Sequence, residues 1–157
     1  FVGYSVGAAP IISYHFGADN SKELKNLMKR SFIIISIFAI GMFIFSEAMA
    51  RPLSLLFVGY DKELFEITLR AFFIYSFSYL FSGFSIFSSS FFTALNDGPV
   101  SAMISFLRTL VFQVVAVLFF SAVWKLDGIW FSIVFAEVMA VIVSGLFLVC
   151  KQKKYKY

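Results

Sequence analysis

Apolar residues in this chain are gathered into blocks about as long as a bilayer is thick, and this feature limits the possible folds more than any other. A helix crosses the hydrocarbon core with about 20 predominantly apolar residues. Such blocks lie at about 1–18, 31–50, 67–95, 100–124 and 129–150, the first of them incomplete. The chain is 61% hydrophobic and 14% charged, an apolar share well above that of soluble domains. We therefore predict an all-α integral membrane protein with five apolar helical segments and a basic tail at 151–157.

Short polar or turn-forming segments separate the blocks. Arg51 and Pro52 follow the second block and predict its end, because proline cannot donate the hydrogen bond that a continuing helix needs. The Asn-Asp-Gly-Pro segment at 96–99 is a strong turn signal, and a second turn is predicted at 125–128. The third block is longer than a minimal span, which a tilted or protruding helix accommodates.

The opening block carries three residues that loosen a helix or bring it close to a neighbour. Gly3 and Gly7 stand four apart, a spacing that lets two membrane helices approach closely. Pro10 removes a backbone donor and is expected to kink its helix. Interrupted helices occur where transporters place moving or binding parts, and bent, closely packed helices also occur with no direct role. The sequence leaves both interpretations open.

Basic residues predict the orientation in the membrane. The loop at 19–30 and the tail at 151–157 hold four Lys or Arg residues each. With five membrane helices, these two segments lie on the same side, and the positive-inside rule places that side in the cytoplasm. The sequence begins inside an apolar run and without Met, so we expect the natural protein to be longer.

The third block carries a polar stripe. Its members recur at spacings of three and four, and so share one helix face: Tyr75, Ser78, Ser82, Ser85 and Ser89. A stripe of this kind either lets helices pack closely through hydrogen bonds or lines a watery cavity. We treat Tyr75 and the serines at 78, 82 and 85 as candidate cavity residues.

Two charged residues lie deep within apolar blocks. By helical rise, Arg108 is ~13 Å from the inner end of its helix and Glu137 is ~19 Å from the same side. A charge at such depth costs about 2.5–3.5 kcal/mol on insertion scales, and usually has a partner or a function. The two residues either pair or face an aqueous cavity separately. Nearer the interface, Glu66 and Arg70 stand four apart and are expected to form an ordinary surface pair.

The sequence contains no constellation typical of an enzyme. One His and one Cys are too few for a metal cluster or an internal disulfide, and no phosphate-binding loop of the Walker type is present. The net charge of +4 lies mostly in the basic loop and tail, so it bears on topology and lipid headgroups and not on nucleic acid. We therefore expect no catalytic residue, no bound metal and no cofactor.

Three motifs resemble the multidrug and toxic compound extrusion (MATE) family. The opening run from Gly3 to Ala18 ends in the pattern P-x-x-S-Y-x-x-G-A, at residues 10–18. The segment SFFTALNDGPVSAMISFLR, at 90–108, is similar to the family's turn and the helix that carries its arginine. The segment LDGIWFSIVFAEVMA, at 126–140, is similar to the start of its last helix. The motifs follow the family's order, and the match extends over the whole chain.

The resemblance implies a fold and a function. Family members are twelve-helix antiporters with two six-helix lobes, so this chain would run from part of the eighth helix through the twelfth. It would belong to a drug or organic-cation exporter of the cytoplasmic membrane, driven by Na⁺ or H⁺ through alternating access. Its partners would be the N-terminal lobe, membrane lipid and a small cationic substrate. A fragment of this extent is not expected to transport alone.

Two positions depart from the family pattern. Val115 stands where members usually have a proline, and the block 67–95 lacks the acidic residue that some members use for cation coupling. A lipid-linked saccharide flippase of the same superfamily is an alternative, although Arg108 as the one deep cation argues mildly against it. A non-transporting membrane scaffold is a second alternative, in which the two deep charges only hold helices together.

Overall fold

The computed structural model describes residues 1–155 and 157, which are almost entirely helical. The first four helices are α1 (Val2–Gly17), α2 (Ser21–Val58), α3 (Lys62–Ser76) and α4 (Tyr79–Ala94). They are followed by α5 (Gly98–Phe106), a π-helical segment (Leu107–Phe112) and α6 (Gln113–Tyr155). No strand occurs among the described residues. This confirms the predicted all-α fold.

Polar side chains cap two helices at their starts. The Asn20 side chain accepts a hydrogen bond from the Glu23 amide at the start of α2. At the start of α3, Asp61 accepts from the amides of Glu63 and Leu64. Each cap satisfies backbone donors that have no partner within the helix. Helices α2 and α3 therefore each begin directly after a residue whose side chain caps the helix start.

Helix α2 does not end at Pro52, where the sequence predicted its end, but continues to Val58. The residues on either side of the proline explain the continuation. Ala50 and Ser54 are 0% and 1% exposed, and the Ser54 hydroxyl donates to the Ala50 carbonyl. Tertiary packing thus holds the helix through a residue that disfavours it, as it commonly does in proteins.

The third apolar block is two helices and not one. Helices α3 and α4 meet at a bend of 47°. Ser76, at the end of α3, is fully buried, and its hydroxyl contacts both the Glu47 carboxylate of α2 and the Phe73 carbonyl. A serine that bonds a carbonyl of the preceding turn bends helices. Here its second bond, to α2, fixes the place of the bend.

The chain reverses direction within α6, at the predicted turn 125–128. Lys125 has a backbone φ of 52°, and residues 113–124 and 126–155 form two antiparallel arms of α6. The ring of Phe120 on the first arm lies 5.3 Å from that of Phe131 and 5.2 Å from that of Phe135 on the second. A Cβ on Gly128 would lie 2.0 Å from the Phe120 carbonyl oxygen. The close approach of the two arms therefore requires glycine at this position.

Long apolar helices give the chain its membrane character. Helix α2 and the stretch Gly98–Tyr155 are long and apolar enough to cross a membrane, and the bent pair α3–α4 would make a third span. The stretch Gly98–Tyr155 reverses at Lys125, so the part before this residue runs alongside the part after it. Phe87, Phe91 and Phe92 of α4 form the centre of the core and are fully buried, whereas many large apolar side chains of the other helices are exposed.

The glycines of α1 do not contact a neighbouring helix in this structure. A Cβ on Gly3 or on Gly7 would meet no atom of another element within 4 Å, so the predicted close packing at these glycines does not occur among the described residues. Helix α1 runs through Pro10 without interruption. Close packing occurs instead at Gly83 of α4, where a Cβ would lie 2.8 Å from side-chain atoms of Ile35 and Phe1.

The basic tail is folded against the turn between α4 and α5. The Tyr155 hydroxyl donates to the Asp97 carboxylate at 2.5 Å, and the ammonium groups of Lys151 and Lys154 lie 3.8 and 3.9 Å from the same carboxylate. Tyr157 is buried, with its ring 5.0 Å from that of Phe91. The hydrogen bond from Tyr155 and the nearby ammonium groups hold the pKa of Asp97 below its usual range. The Asp97 carboxylate thus joins the tail to the body of the bundle.

Candidate functional site

The two deep charges meet in an ion pair. The Nη2 atom of Arg108 lies 2.8 Å from Oε1 of Glu137, and its Nε atom lies 3.2 and 3.0 Å from Oε1 and Oε2. The side chains are 25% and 14% exposed. Of the two possibilities left by the sequence, pairing is therefore what the structure contains. An arginine that offers two nitrogens to one carboxylate makes a strong, orientation-specific contact.

Each member of the pair is positioned by a distinct element. Arg108 lies in the π-helical segment Leu107–Phe112, a rare backbone form that is frequent at functional sites. Glu137 lies on the second arm of α6, which runs antiparallel to the segment that carries the arginine. The Ser85 hydroxyl of α4 donates to Oε2 of Glu137 at 3.4 Å. Three parts of the bundle therefore converge on one carboxylate.

A partly open cavity of about 340 Å³, with both polar and apolar lining, lies beside this pair. Helices α1 and α4 form two of its walls, and Ser105 and Arg108 line the side that follows the turn. Its polar lining consists of hydroxyl groups and the arginine: Ser5, Ser85, Ser89, Ser90, Thr93, Ser105 and Arg108. The stripe of serines on α4 thus lines a cavity along part of its length, and also bonds to neighbouring helices. Ser85 and Ser89 do both, since each lines the cavity and also bonds to a neighbouring element.

The other predicted cavity residues lie elsewhere. Tyr75 lines a separate cavity of about 360 Å³, where Trp130 and Tyr79 form aromatic walls. Ser82 lines a mostly apolar cavity of about 430 Å³ between α1, α2 and α4. Ser78 is buried at the bend between α3 and α4. The bend separates Tyr75 from the serines that follow, so the predicted continuous stripe is divided among three cavities.

The charges nearer the ends of the helices also have partners that differ from expectation. Arg70 pairs with Asp127, with 3.2 Å between Nη1 and Oδ2, and not with Glu66 as predicted. The reversal of α6 explains this, because it brings Asp127 beside α3. Among the described residues, no group of three or more His, Cys, Asp or Glu side chains is placed to hold a metal ion.

The fold and the site define a class of protein. An all-helical chain with long apolar helices and a charge pair between them is a multi-pass membrane protein. The MatE family model matches residues 1–119 of this chain, and the chain therefore belongs to the MatE family. No curated protein sequence gives a significant match.

Two solved structures share the fold. One is the MATE transporter VcmN of Vibrio cholerae in its bent form, with a TM-score of 0.87 and 18% identity over 96% of this chain and 34% of that one. The other is a MATE protein in complex with MaL6, with a TM-score of 0.89 and 21% identity over 98% of this chain and 35% of that one. This chain therefore spans about a third of the length of these proteins. Family and fold together support a transport function.

Some features of the site were outside the reach of the sequence. The π-helical turn at Arg108 has no composition signal, because its residues are as apolar as those of the helices around it. The role of Ser89 as a contact between α4 and α5 depends on the turn geometry at 96–99. The spacing of Ser101 and Ser105, one turn apart on the helix after that turn, is the one signal by which a facing row of hydroxyls could have been found.

Proposed function

We propose that this chain forms most of the C-terminal lobe of a secondary active antiporter. The antiporter exports drugs or other organic cations in exchange for Na⁺ or H⁺. Transport proceeds by alternating access, in which a coupling ion shifts the equilibrium between inward-facing and outward-facing states. The observation that carries the proposal is the Arg108–Glu137 pair beside a cavity lined in part by hydroxyl groups, in a chain of the MatE family.

The ion pair supports transport over a scaffold for a physical reason. A buried ion pair is weak evidence for stability, because removing two charges from water costs about as much as their attraction returns. A protein that needed only rigid helix packing would therefore gain little stability from such an ion pair. Ionisable groups inside membranes typically mark ion or substrate pathways. The adjacent cavity, whose lining includes hydroxyl groups and the arginine, supports such a pathway in this lobe.

The aromatic cavity at the bend supports an organic cation as substrate. Tyr75, Tyr79 and Trp130 contribute aromatic surface to a space of about 360 Å³, and the two tyrosine rings lie edge to face at 5.6 Å. Aromatic faces attract organic cations by about 0.5–2 kcal/mol per contact. The bend between α3 and α4 also provides a place where the cavity can change shape.

The proposed partners follow from the family. The substrate path of the whole transporter would require an N-terminal lobe, since this chain spans about a third of the matched structures. Exposed apolar side chains would face lipid or that lobe. The family implies the cytoplasmic membrane, and the basic segments 19–30 and 151–157 favour an orientation with the C-terminal tail inside the cell.

Efflux from whole cells tests the proposal. A full-length transporter that contains this lobe is expressed in cells without their own drug pumps, and export of the organic cation ethidium is followed by fluorescence. We expect export by the full-length protein and none by residues 1–157 alone. Movement of a lipid-linked saccharide in place of ethidium would favour the flippase alternative. Stable expression with movement of neither would favour the scaffold.

A further inference from the structure

Four hydroxyl groups form a continuous row where α4 faces α5. The Ser89 hydroxyl lies 2.7 Å from that of Ser105 and 2.9 Å from that of Ser101. The Ser101 hydroxyl in turn lies 2.6 Å from that of Thr93. In each contact either oxygen is able to donate. A row of groups that both donate and accept is the arrangement that proton transfer along hydrogen bonds requires.

Three of the four members of this row line the cavity beside the ion pair, namely Ser89, Thr93 and Ser105. Ser89 and Ser105 line the cavity together with Ser85, whose hydroxyl contacts Glu137. Thr93, at one end of the row, also lines the cavity and is exposed near the turn that contacts the basic tail. By helical rise, Ser85 and Thr93 are ~12 Å apart along α4. The row and the cavity therefore join the carboxylate in the interior to the tail end of the lobe.

A buried hydroxyl without a partner points to water in the cavity. Ser5 lines the cavity and is 3% exposed, and its hydroxyl forms no hydrogen bond with any described residue. An orphaned buried hydroxyl is costly, and bound water commonly satisfies such groups. A water molecule takes about 30 Å³, so a cavity of about 340 Å³ has room for several. Water would close the gap between Ser85 and Ser89.

We propose that this water-filled cavity and the hydroxyl row conduct protons between Glu137 and the tail end of the lobe. The inference rests on the proposed antiport function, and selects H⁺ as the ion to which this lobe responds. A proton from water at Thr93 passes along the row as each oxygen accepts one proton and releases another. The carboxylate becomes a neutral acid. The guanidinium keeps its proton and loses its partner.

The surroundings of Glu137 are compatible with this step. Among the described residues, Arg108 from the π-helical segment is the one charged group bonded to it, and Ser85 from α4 is its other polar contact. Helices α1 and α5 contribute hydroxyls to the cavity and no ionisable side chain. On α3, Arg70 pairs with Asp127, ten residues or ~15 Å away along α6. Protonation therefore acts chiefly on the Arg108 pair.

Proton release from reconstituted transporter tests the row. The full-length protein is placed in liposomes with a trapped pH indicator, and ethidium is added to drive exchange. Ser89→Ala removes the central hydroxyl, whereas Ser89→Thr keeps it. Ser88→Ala is the control, because the Ser88 hydroxyl is buried on the same helix but bonds to the Phe84 carbonyl of its own helix.

We expect Ser89→Ala to slow proton exchange by up to about tenfold, the scale of one lost hydrogen bond. Ser89→Thr and Ser88→Ala should exchange protons at the wild-type rate. Thr93→Val should slow proton exchange in the same way. Valine has nearly the same volume as threonine and the position is exposed, so this variant serves as the test if Ser89→Ala fails to fold. Wild-type rates in both Ser89→Ala and Thr93→Val would overturn the inference. Ethidium exchange driven by Na⁺ without proton release would overturn it too, yet would leave the antiport function intact. No ethidium exchange by wild type would refute the antiport function itself.

Discussion

Separating Arg108 from Glu137 should destabilise the transporter more than removing both. Removal of one member of a buried pair leaves a charge without a partner, at a cost of about 3–5 kcal/mol. Because the two side chains are 25% and 14% exposed, we expect the low end, about 3 kcal/mol for Arg108→Met or Glu137→Leu. The double substitution leaves apolar side chains of similar volume, and should recover about 2–3 kcal/mol of the combined loss.

Thermal unfolding of the full-length protein in detergent measures this coupling. At roughly 2–4 °C per kcal/mol, each single substitution should lower Tm by about 6–12 °C. Arg70→Met and Asp127→Asn provide the control, since that pair is 65% and 48% exposed and pairs at such exposure contribute about 0–1 kcal/mol. Strictly additive losses at 108 and 137 would refute the reasoning, because residues that meet in an ion pair do not act independently.

Three further predictions concern other parts of the chain. Tyr155→Phe should lower stability by about 1.5–3 kcal/mol, the range for a hydrogen bond to a charged group. Because the pKa of Asp97 is lowered in the folded state, its contribution is present at neutral pH and lost on acidification, so the Tm difference from Tyr155→Phe should shrink between pH 7 and pH 3. Gly83→Ala, which meets side-chain atoms at 2.8 Å, should cost about 1–3 kcal/mol, whereas Gly41→Ala, with open space around it, should cost none in the same assay. Cys150, exposed near the tail, should react with a membrane-impermeant maleimide in inverted vesicles and not in intact cells.

Much of the fold could be predicted because a membrane allows few backbone conformations. Apolar blocks of spanning length have few alternatives to helices, and the turns at 96–99 and 125–128 carry Gly and charged residues. The helix through Pro52 and the bend after Ser76 could not be predicted. The first depends on the burial of Ala50 and Ser54, and the second on a buried contact between Ser76 and α2. Packing of this kind overrides local preference.

The candidate site was predictable in its charges but not in its geometry. Depth along each helix brings Arg108 and Glu137 to similar levels, and charge makes a pair favourable. The row formed by Ser89 with Ser101 depends on how α5 folds back on α4 after the turn. The tail contact at Asp97 was missed for a related reason, since a basic tail is typical of a cytoplasmic terminus and its lysines were used only for orientation.

Gradient-driven transport by the reconstituted full-length protein tests the antiport proposal most directly. Liposomes are prepared with an inward or outward gradient of H⁺ or Na⁺ and equal ethidium on both sides. We predict that ethidium moves uphill in exchange for the ion, and that the movement stops when an ionophore dissipates the gradient. Glu137→Gln protein that folds normally should lose the response to the H⁺ gradient. Ethidium that stays at equal concentration under every gradient, with correctly folded wild-type protein in the membrane, would contradict the account.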